Sequence, residues 1–363
     1  MKKDFYDFEE DFHGKDKKQF RKKRRLLQEG DRSQFKKTDQ NQKPGDAPID
    51  LSLPRGRVVS ITGEGIWVDF NGKKQICTIK GLFKKELKQT KNLIAVGDYV
   101  RVRENSVVQI EPRASFLTRT DISGRKEQFI AANVDQVLIV VSVKDPPLKP
   151  SLIDRYLIAA EKGKIHPFVV VNKTDLLQSD PESLALYQEF ISSYEPLGML
   201  IVSASVKTGV GIDSIRALMQ GKTTAISGQS GVGKSSLINT AFGLDLKTGD
   251  LAAKTSKGSH TTTTSKLLPI DGGGYCVDTP GIRSFGIWNL EKADVTNHFH
   301  DIGKIAEQCR FADCSHTTEP HCSVRAALND GTLPLLRYES FQTLLDEATG
   351  GADNRTKRVK NNE

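Results

Sequence analysis

The chain has 363 residues, enough for two or three domains that each bury a core. Hydrophobic residues make up 37% and charged residues 27%, with 53 Lys and Arg against 45 Asp and Glu for a net charge of +8, a balance that excludes a wholly disordered chain. No apolar run approaches the roughly 18 residues of a membrane span, and five cysteines are too few for a disulfide scaffold.

Residues 1–50 are polar and lack apolar periodicity, which predicts a flexible tail. Asp4, Asp7, Glu9, Glu10 and Asp11 argue against a secretory signal or an acid-poor transit peptide, so a cytoplasmic protein is expected. Lys15, Lys17, Lys18, Arg21, Lys22, Lys23, Arg24 and Arg25 then face the single acid Asp16. Such a run is either an electrostatic handle for phosphate or a solvated tail without a partner.

From Arg55 short alternating runs follow one another: 57–62, 65–70, 74–80, 98–104 and 106–111. Asn71-Gly72 marks a hairpin, because both turn positions tolerate positive φ. Five short strands predict an OB-fold barrel over 51–115, a fold that commonly binds oligonucleotides. Trp67 and Phe70 either stack on bases or fill the barrel, while Cys77 and Cys276 stand in apolar runs and read as core.

From Val134 the rhythm changes to strand–helix–strand. The apolar run 134–143 predicts a strand covered on both faces. A helix over 151–162 follows, with Ser151 as its cap and Asp154 in its first turn. Further strands at 165–171, 199–203, 224–227, 266–270 and 275–277, with helices at 181–194, 212–219 and 234–241, predict a parallel α/β sheet within 116–288.

Gly228-Gln229-Ser230-Gly231-Val232-Gly233-Lys234-Ser235 matches the phosphate loop G-x-x-x-x-G-K-[ST] between a predicted strand and helix. Its backbone N–H groups and the following helix terminus cradle phosphates. Lys234 is expected to reach the β- and γ-phosphates and Ser235 to ligate Mg²⁺, with Ser236 beside it. Asn172-Lys173-Thr174-Asp175 selects the base. The Asp175 carboxylate can accept both hydrogen bonds that guanine N1–H and the 2-amino group donate, and adenine offers neither. Asn172 would hold the guanine O6 side, the Lys173 stem would cover the ring, and Ser203-Ala204-Ser205 would back the base. Asp278-Thr279-Pro280-Gly281 ends a strand, placing Asp278 for water-mediated contact with Mg²⁺ and the Gly281 N–H for the γ-phosphate. The threonine-rich run 258–264 reads as a first switch loop, with Thr262 on Mg²⁺ and Thr261 or Thr263 as alternatives.

Two features depart from the usual GTPase plan. The guanine motifs precede the phosphate loop, so the domain reads as circularly permuted. Ile282 stands where a glutamine would orient the attacking water, and His260 is either its replacement or a plain surface histidine.

After Trp288 the chain turns helical and polar. Cys309, Cys314, His316 and Cys322 offer three thiolates and an imidazole, the closed set of a structural Zn²⁺ site; His298, His300 and His321 are alternative imidazoles. A helical zinc-binding domain is expected over 289–348 and a basic tail over 349–363.

The succession N-K-T-D, S-A-S, G-Q-S-G-V-G-K-S, H-T-T-T, D-T-P-G and C-x₄-C-x-H-x₅-C, behind a barrel, resembles the family of ribosome small-subunit-dependent GTPase A (RsgA or YjeQ) over roughly 52–345. The resemblance implies a GTP hydrolase stimulated by the small ribosomal subunit and its rRNA and acting in late subunit maturation. It also implies a hydrophobic residue at Ile282 and a catalytic histidine matching His260. GTP and GDP with Mg²⁺, one structural Zn²⁺, no membrane partner and a monomer are expected. An RNA-binding assembly scaffold, with GTP as a conformational ligand only, is the alternative. An ATP-dependent RNA enzyme is disfavoured by Asp175.

Overall fold

The computed structural model describes residues 48–79, 92–120, 127–246, 266–278 and 290–360. The chain divides into two units, Met1–Asp50 and Leu51–Glu363, and the elements below belong to the second.

The period-two pattern forms β1 (Arg55–Ile61), β2 (Ile66–Phe70), β3 (Lys73–Ile79), β4 (Tyr99–Arg103) and β5 (Ser106–Ile110). They close on themselves in the order β1-β2-β3-β5-β4, with β4 pairing back onto β1. Val58, Val68, Cys77, Val100 and Val107 point inward and are sealed from solvent, which is the burial that alternation demands. Phe70 packs partly against this core and Trp67 partly against the core of the neighbouring α/β region, and each keeps part of its ring surface exposed.

β6 (Phe116–Thr120) and β7 (Glu127–Ala132) make a separate antiparallel hairpin. Beyond it lie β8 (Gln136–Ser142), α1 (Pro150–Lys162), β9 (His166–Asn172), α2 (Pro181–Tyr194), β10 (Ile201–Ser203), α3 (Ile212–Met219), β11 (Thr223–Ser227), α4 (Lys234–Phe242), β12 (Lys266–Pro269) and β13 (Tyr275–Asp278). β10, β9, β8, β11 and β13 run parallel in that order. Val137, Ile139 and Val141 meet α1 and α2 on one face, while Leu138 and Val140 meet α3 and α4 on the other, as a doubly covered sheet requires. β12 is antiparallel to β13 and also pairs β1 at Ser60↔Lys266, so barrel and α/β sheet form one continuous eleven-stranded sheet.

The start of α1 differs from its expected form. Lys149 is the cap residue without a side-chain bond and Pro150, not Ser151, opens the helix, because proline's fixed φ suits the first helical position. Asp154 is not a solvated partner of the helix dipole but fully buried. Its Oδ1 accepts from Arg337 Nη1 at 2.6 Å and lies 3.3 Å from His298 Nε2, while Oδ2 accepts from the Tyr194 hydroxyl at 2.5 Å and from Ser340. Burial alone would push this carboxyl up; His298 and Arg337 outweigh it and hold it below the ordinary carboxylate range.

The C-terminal part comprises α5 (Lys292–His298), α6 (His300–Ala306), α7 (Ser323–Asn329) and α8 (Leu335–Lys360). Val295, Phe299, Ile302, Val324, Phe341 and Leu344 form its core, joined by Ile158 of α1. The backbone of α8 continues helical to Lys360.

Candidate active site and metal centre

Parallel strands deliver their C-terminal ends to one edge of the sheet, where an α/β fold places its ligands. β9 ends at Asn172, β11 at Ser227 and β10 at Ser203, so the three sequence motifs they carry converge there. The loop 228–233 leaves β11 and enters α4, with Lys234, Ser235 and Ser236 in the first helical turn. Lys234 Nζ donates to the carbonyls of Gly228, at 2.8 Å, and Gln229. Val232 is buried in the core beneath, and Gly231 and Ser230 lie in the exposed turn between.

Two positions in this loop require glycine. Gly228 has φ +136°, and a Cβ there would sit 2.0 Å from the Val140 carbonyl oxygen; at Gly233, φ +94°, a Cβ would lie 2.5 Å from Asn172 Nδ2. Gly228→Ala is therefore expected to cost about 2 kcal/mol or more, as strain at a special backbone position does. Urea unfolding checks this, and a stability within about 0.5 kcal/mol of the native chain contradicts it.

The residues expected to recognise the base are fixed by their own hydrogen bonds. Buried Asn172 donates from Nδ2 to the Val232 carbonyl at 2.8 Å, tying β9 to the loop 228–233, and its Oδ1 is a buried acceptor without a protein partner among the described residues. Lys173 adopts left-handed backbone, φ +63°, and its Nζ donates to the carbonyls of Lys144, at 3.3 Å, and Asp145. Thr174 donates through N and Oγ1 to the Ala204 carbonyl at 3.1 and 3.0 Å. Asp175 Oδ1 accepts from Ser205 Oγ at 2.7 Å; no bond to Oδ2 is present among the described residues. The half-buried carboxylate thus keeps one oxygen aimed and one open for a donor pair.

Ser203, Ala204 and Ser205 do different work. Ser203 Oγ bonds the Tyr187 hydroxyl, away from Asp175. Ser205 Oγ also accepts from Thr208 N at 3.2 Å, and Gly209 N donates to the Ser205 carbonyl at 2.9 Å. The turn 205–209 is therefore folded around the serine that holds Asp175, a part that the sequence reading did not single out. Its signal was Thr208-Gly209 with Gly211, a turn composition directly after a strand.

Asp278 closes β13, its backbone paired with Lys266. His260, Thr262 with its alternatives Thr261 and Thr263, and Gly281 lie outside the described residues.

At the other end, Cys309 Sγ, Cys314 Sγ, His316 and Cys322 Sγ bring their ligand atoms within 4.8 Å of one another. His316 Nδ1 lies 3.6 Å from Cys309 Sγ and 3.5 Å from Cys322 Sγ. Burial opposes ionisation of Cys309, but the backbone N–H groups of Val324 and Ser323, at the start of α7, hold its thiol below the usual range. Burial pushes the Cys314 thiol up to about 12. Three sulfurs and one nitrogen at this separation fit a tetrahedral metal ion with no open position. Of the alternative imidazoles, His298 instead faces Asp154 and Glu161, and neither His300 nor His321 belongs to the group. The Tyr338 hydroxyl donates to the His316 carbonyl at 2.8 Å, steadying that turn.

A family model described as RsgA GTPase matches residues 110–288. The small ribosomal subunit biogenesis GTPase RsgA of Chlorobaculum tepidum is 38% identical over 308 residues, covering 80% of this chain and 97% of its own length. The protein of the same name from Bacteroides fragilis is 36% identical, covering 82% and 98%. Among solved structures, YjeQ from Thermotoga maritima superposes with a TM-score of 0.64 at 33% identity, covering 82% of this chain and 99% of that one. YloQ, described as a circularly permuted GTPase, gives 0.58 at 25% identity over 84% and 98%. With relatives this similar aligned along nearly their whole length, the chain belongs to the RsgA GTPase family.

Proposed function

We propose that the chain hydrolyses GTP to GDP and phosphate while bound to the small ribosomal subunit, and that the subunit stimulates the reaction in late maturation. The observation that carries this is the meeting of Asn172–Asp175, Ser205 and the loop 228–235 at one sheet edge, in a family whose curated members carry the name small ribosomal subunit biogenesis GTPase. Asp175 selects guanine, and the N–H groups of 228–233 with Lys234 hold the phosphates. The Lys234 ammonium exchanges the Gly228 and Gln229 carbonyls for phosphate oxygens. Ser235 and Thr262 would hold Mg²⁺, with Asp278 acting through water, and the ion would neutralise charge between the β- and γ-phosphates. Ile282 cannot orient water, so His260 takes that task. Cys309, Cys314, His316 and Cys322 hold a structural Zn²⁺. The OB-like barrel and the basic N-terminal run supply contacts to rRNA phosphates, in a monomeric cytoplasmic protein.

The test is GTP hydrolysis by the purified chain with small subunits, with large subunits and alone. Small subunits alone are expected to raise turnover by orders of magnitude, Lys234→Ala to be silent throughout, and His260→Ala to lose the stimulation. Tight binding of GTP and of small subunits without any stimulation would overturn the proposal in favour of a scaffold that uses GTP as a conformational ligand.

A further inference from the structure

We propose that the Cys₃His centre and the nucleotide loops are one thermodynamically coupled unit, linked through the buried pair of Arg337 and Asp154. This rests on the nucleotide-site reading above and adds to it a connection between two sites that sequence places far apart.

A continuous line of packed groups joins them. The ring of the metal-ligand candidate His316 lies 6.2 Å from that of Phe341, and Phe341 lies 5.3 Å edge-on from Phe299. The Arg337 guanidinium sits over Phe299 at 4.2 Å and over Tyr194 at 5.1 Å. It forks between Asp154 of α1, at 2.6 Å, and Asp301 of α6, at 2.9 and 3.0 Å. α1 is entered from the loop 144–149, whose carbonyls at Lys144 and Asp145 hold Lys173. A Cβ on Gly231 of the phosphate loop would lie within 3.7 Å of Pro146 and 3.8 Å of the Asp145 carbonyl. The loop is pinned from its other side by Lys144, which donates to Asp180, the cap of α2, at 2.6 Å.

Burial makes this line stiff. Asp154 and Phe299 are 0% exposed, Arg337 and Ser340 3%, and Phe341 4%. Close-packed interiors shift between discrete arrangements and do not deform gradually. Arg337 cannot move away from Asp154 without depriving the buried carboxylate of its permanently charged partner, leaving only His298, Tyr194 and Ser340 against it, a costly state. Disturbing the cluster turn that supports Phe341 therefore disturbs the seat of Arg337, then the start of α1, then the loop against Lys173 and Gly231. Linkage makes the effect reciprocal, so bound nucleotide tightens the metal site by the same factor.

The experiment uses the full chain and a fluorescent GDP analogue titrated against zinc-loaded and chelator-stripped protein. Stripping is expected to weaken nucleotide binding about tenfold, within the usual range of coupling between sites. Arg337→Met, loaded with zinc, is expected to bind nucleotide several-fold more weakly and to respond little to stripping. Asp301→Asn, which removes one of the two carboxylates under Arg337, gives a smaller loss in the same direction and stands in if Arg337→Met does not fold. A native chain that binds the analogue equally well with and without zinc overturns the coupling. So does an Arg337→Met chain that keeps the full zinc response. A zinc-loaded native chain that fails to bind the analogue at all refutes the nucleotide-site reading itself.

Discussion

Replacing Asp175 with asparagine is expected to lower affinity for GTP by roughly 30-fold or more, and to raise affinity for xanthosine triphosphate. Guanine presents two adjacent donors, N1–H and the 2-amino group, and the Asp175 carboxylate presents only acceptors. Asparagine puts an amide NH₂ against one of those donors, so one charge-assisted bond is lost and a donor faces a donor. Truncating one partner of a hydrogen-bonded charged pair in a desolvated site costs about 2–5 kcal/mol, which spans roughly 30- to several-thousand-fold in affinity. Xanthine carries a carbonyl oxygen where guanine has the amino group, so the same amide becomes complementary. Ser205 donates to Asp175 Oδ1 at 2.7 Å, and Ser205→Ala should produce a smaller loss for GTP without the gain for xanthine. Calorimetric titration with both nucleotides checks this. An Asp175→Asn chain that binds GTP like the native one would remove Asp175 from base recognition.

Much of this arrangement was readable because its residue types are dictated by geometry. Gly228 and Gly233 stand where a Cβ would collide with Val140 and Asn172, and the spacing of glycines through 228–233 announces such positions. The parallel strands were readable as well, since 134–143 has no polar face to assign to solvent. What escaped lies in pairings between distant residues. Asp154 looks like any acid near a helix start until Arg337, 183 positions later, and His298, 144 positions later, are seen against it. The hairpin β6–β7 escaped because a register irregularity between Leu117 and Thr118 breaks its alternation. The pairing Ser60↔Lys266, which continues the barrel sheet into the α/β sheet, leaves no local trace in either strand. Ser203 and Ser205 differ for a similar reason: their neighbours in sequence are alike, and only the positions of Tyr187 and Asp175 separate their tasks.

Loss of one cluster ligand should separate local from global stability. Cys322 is the most enclosed thiol of the centre, 6% exposed, with Cys309 Sγ at 3.9 Å and His316 Nδ1 at 3.5 Å. Cys322→Ser is expected to abolish stoichiometric zinc, because three remaining ligands no longer close a tetrahedron. A structural zinc is worth about 10–16 kcal/mol in isolated zinc-finger peptides, more than the turn 307–322 can replace, since Arg310, Phe311, Asp313 and His321 are all exposed there. The helices around it are better supplied. Phe299, Phe341 and Leu344 are sealed in the core, each contributing about 1.5–3 kcal/mol, and Arg337 ties α8 to Asp154. Hydrogen exchange read by mass spectrometry should therefore show protection collapsing across 307–322 while 335–347 stays protected. Cys77→Ser is the control. That thiol is sealed inside the barrel, so its loss should lower the unfolding midpoint of the barrel and leave the zinc content at one per chain. A Cys322→Ser chain that keeps its zinc and its protection would show that the cluster is not the fastener of this turn.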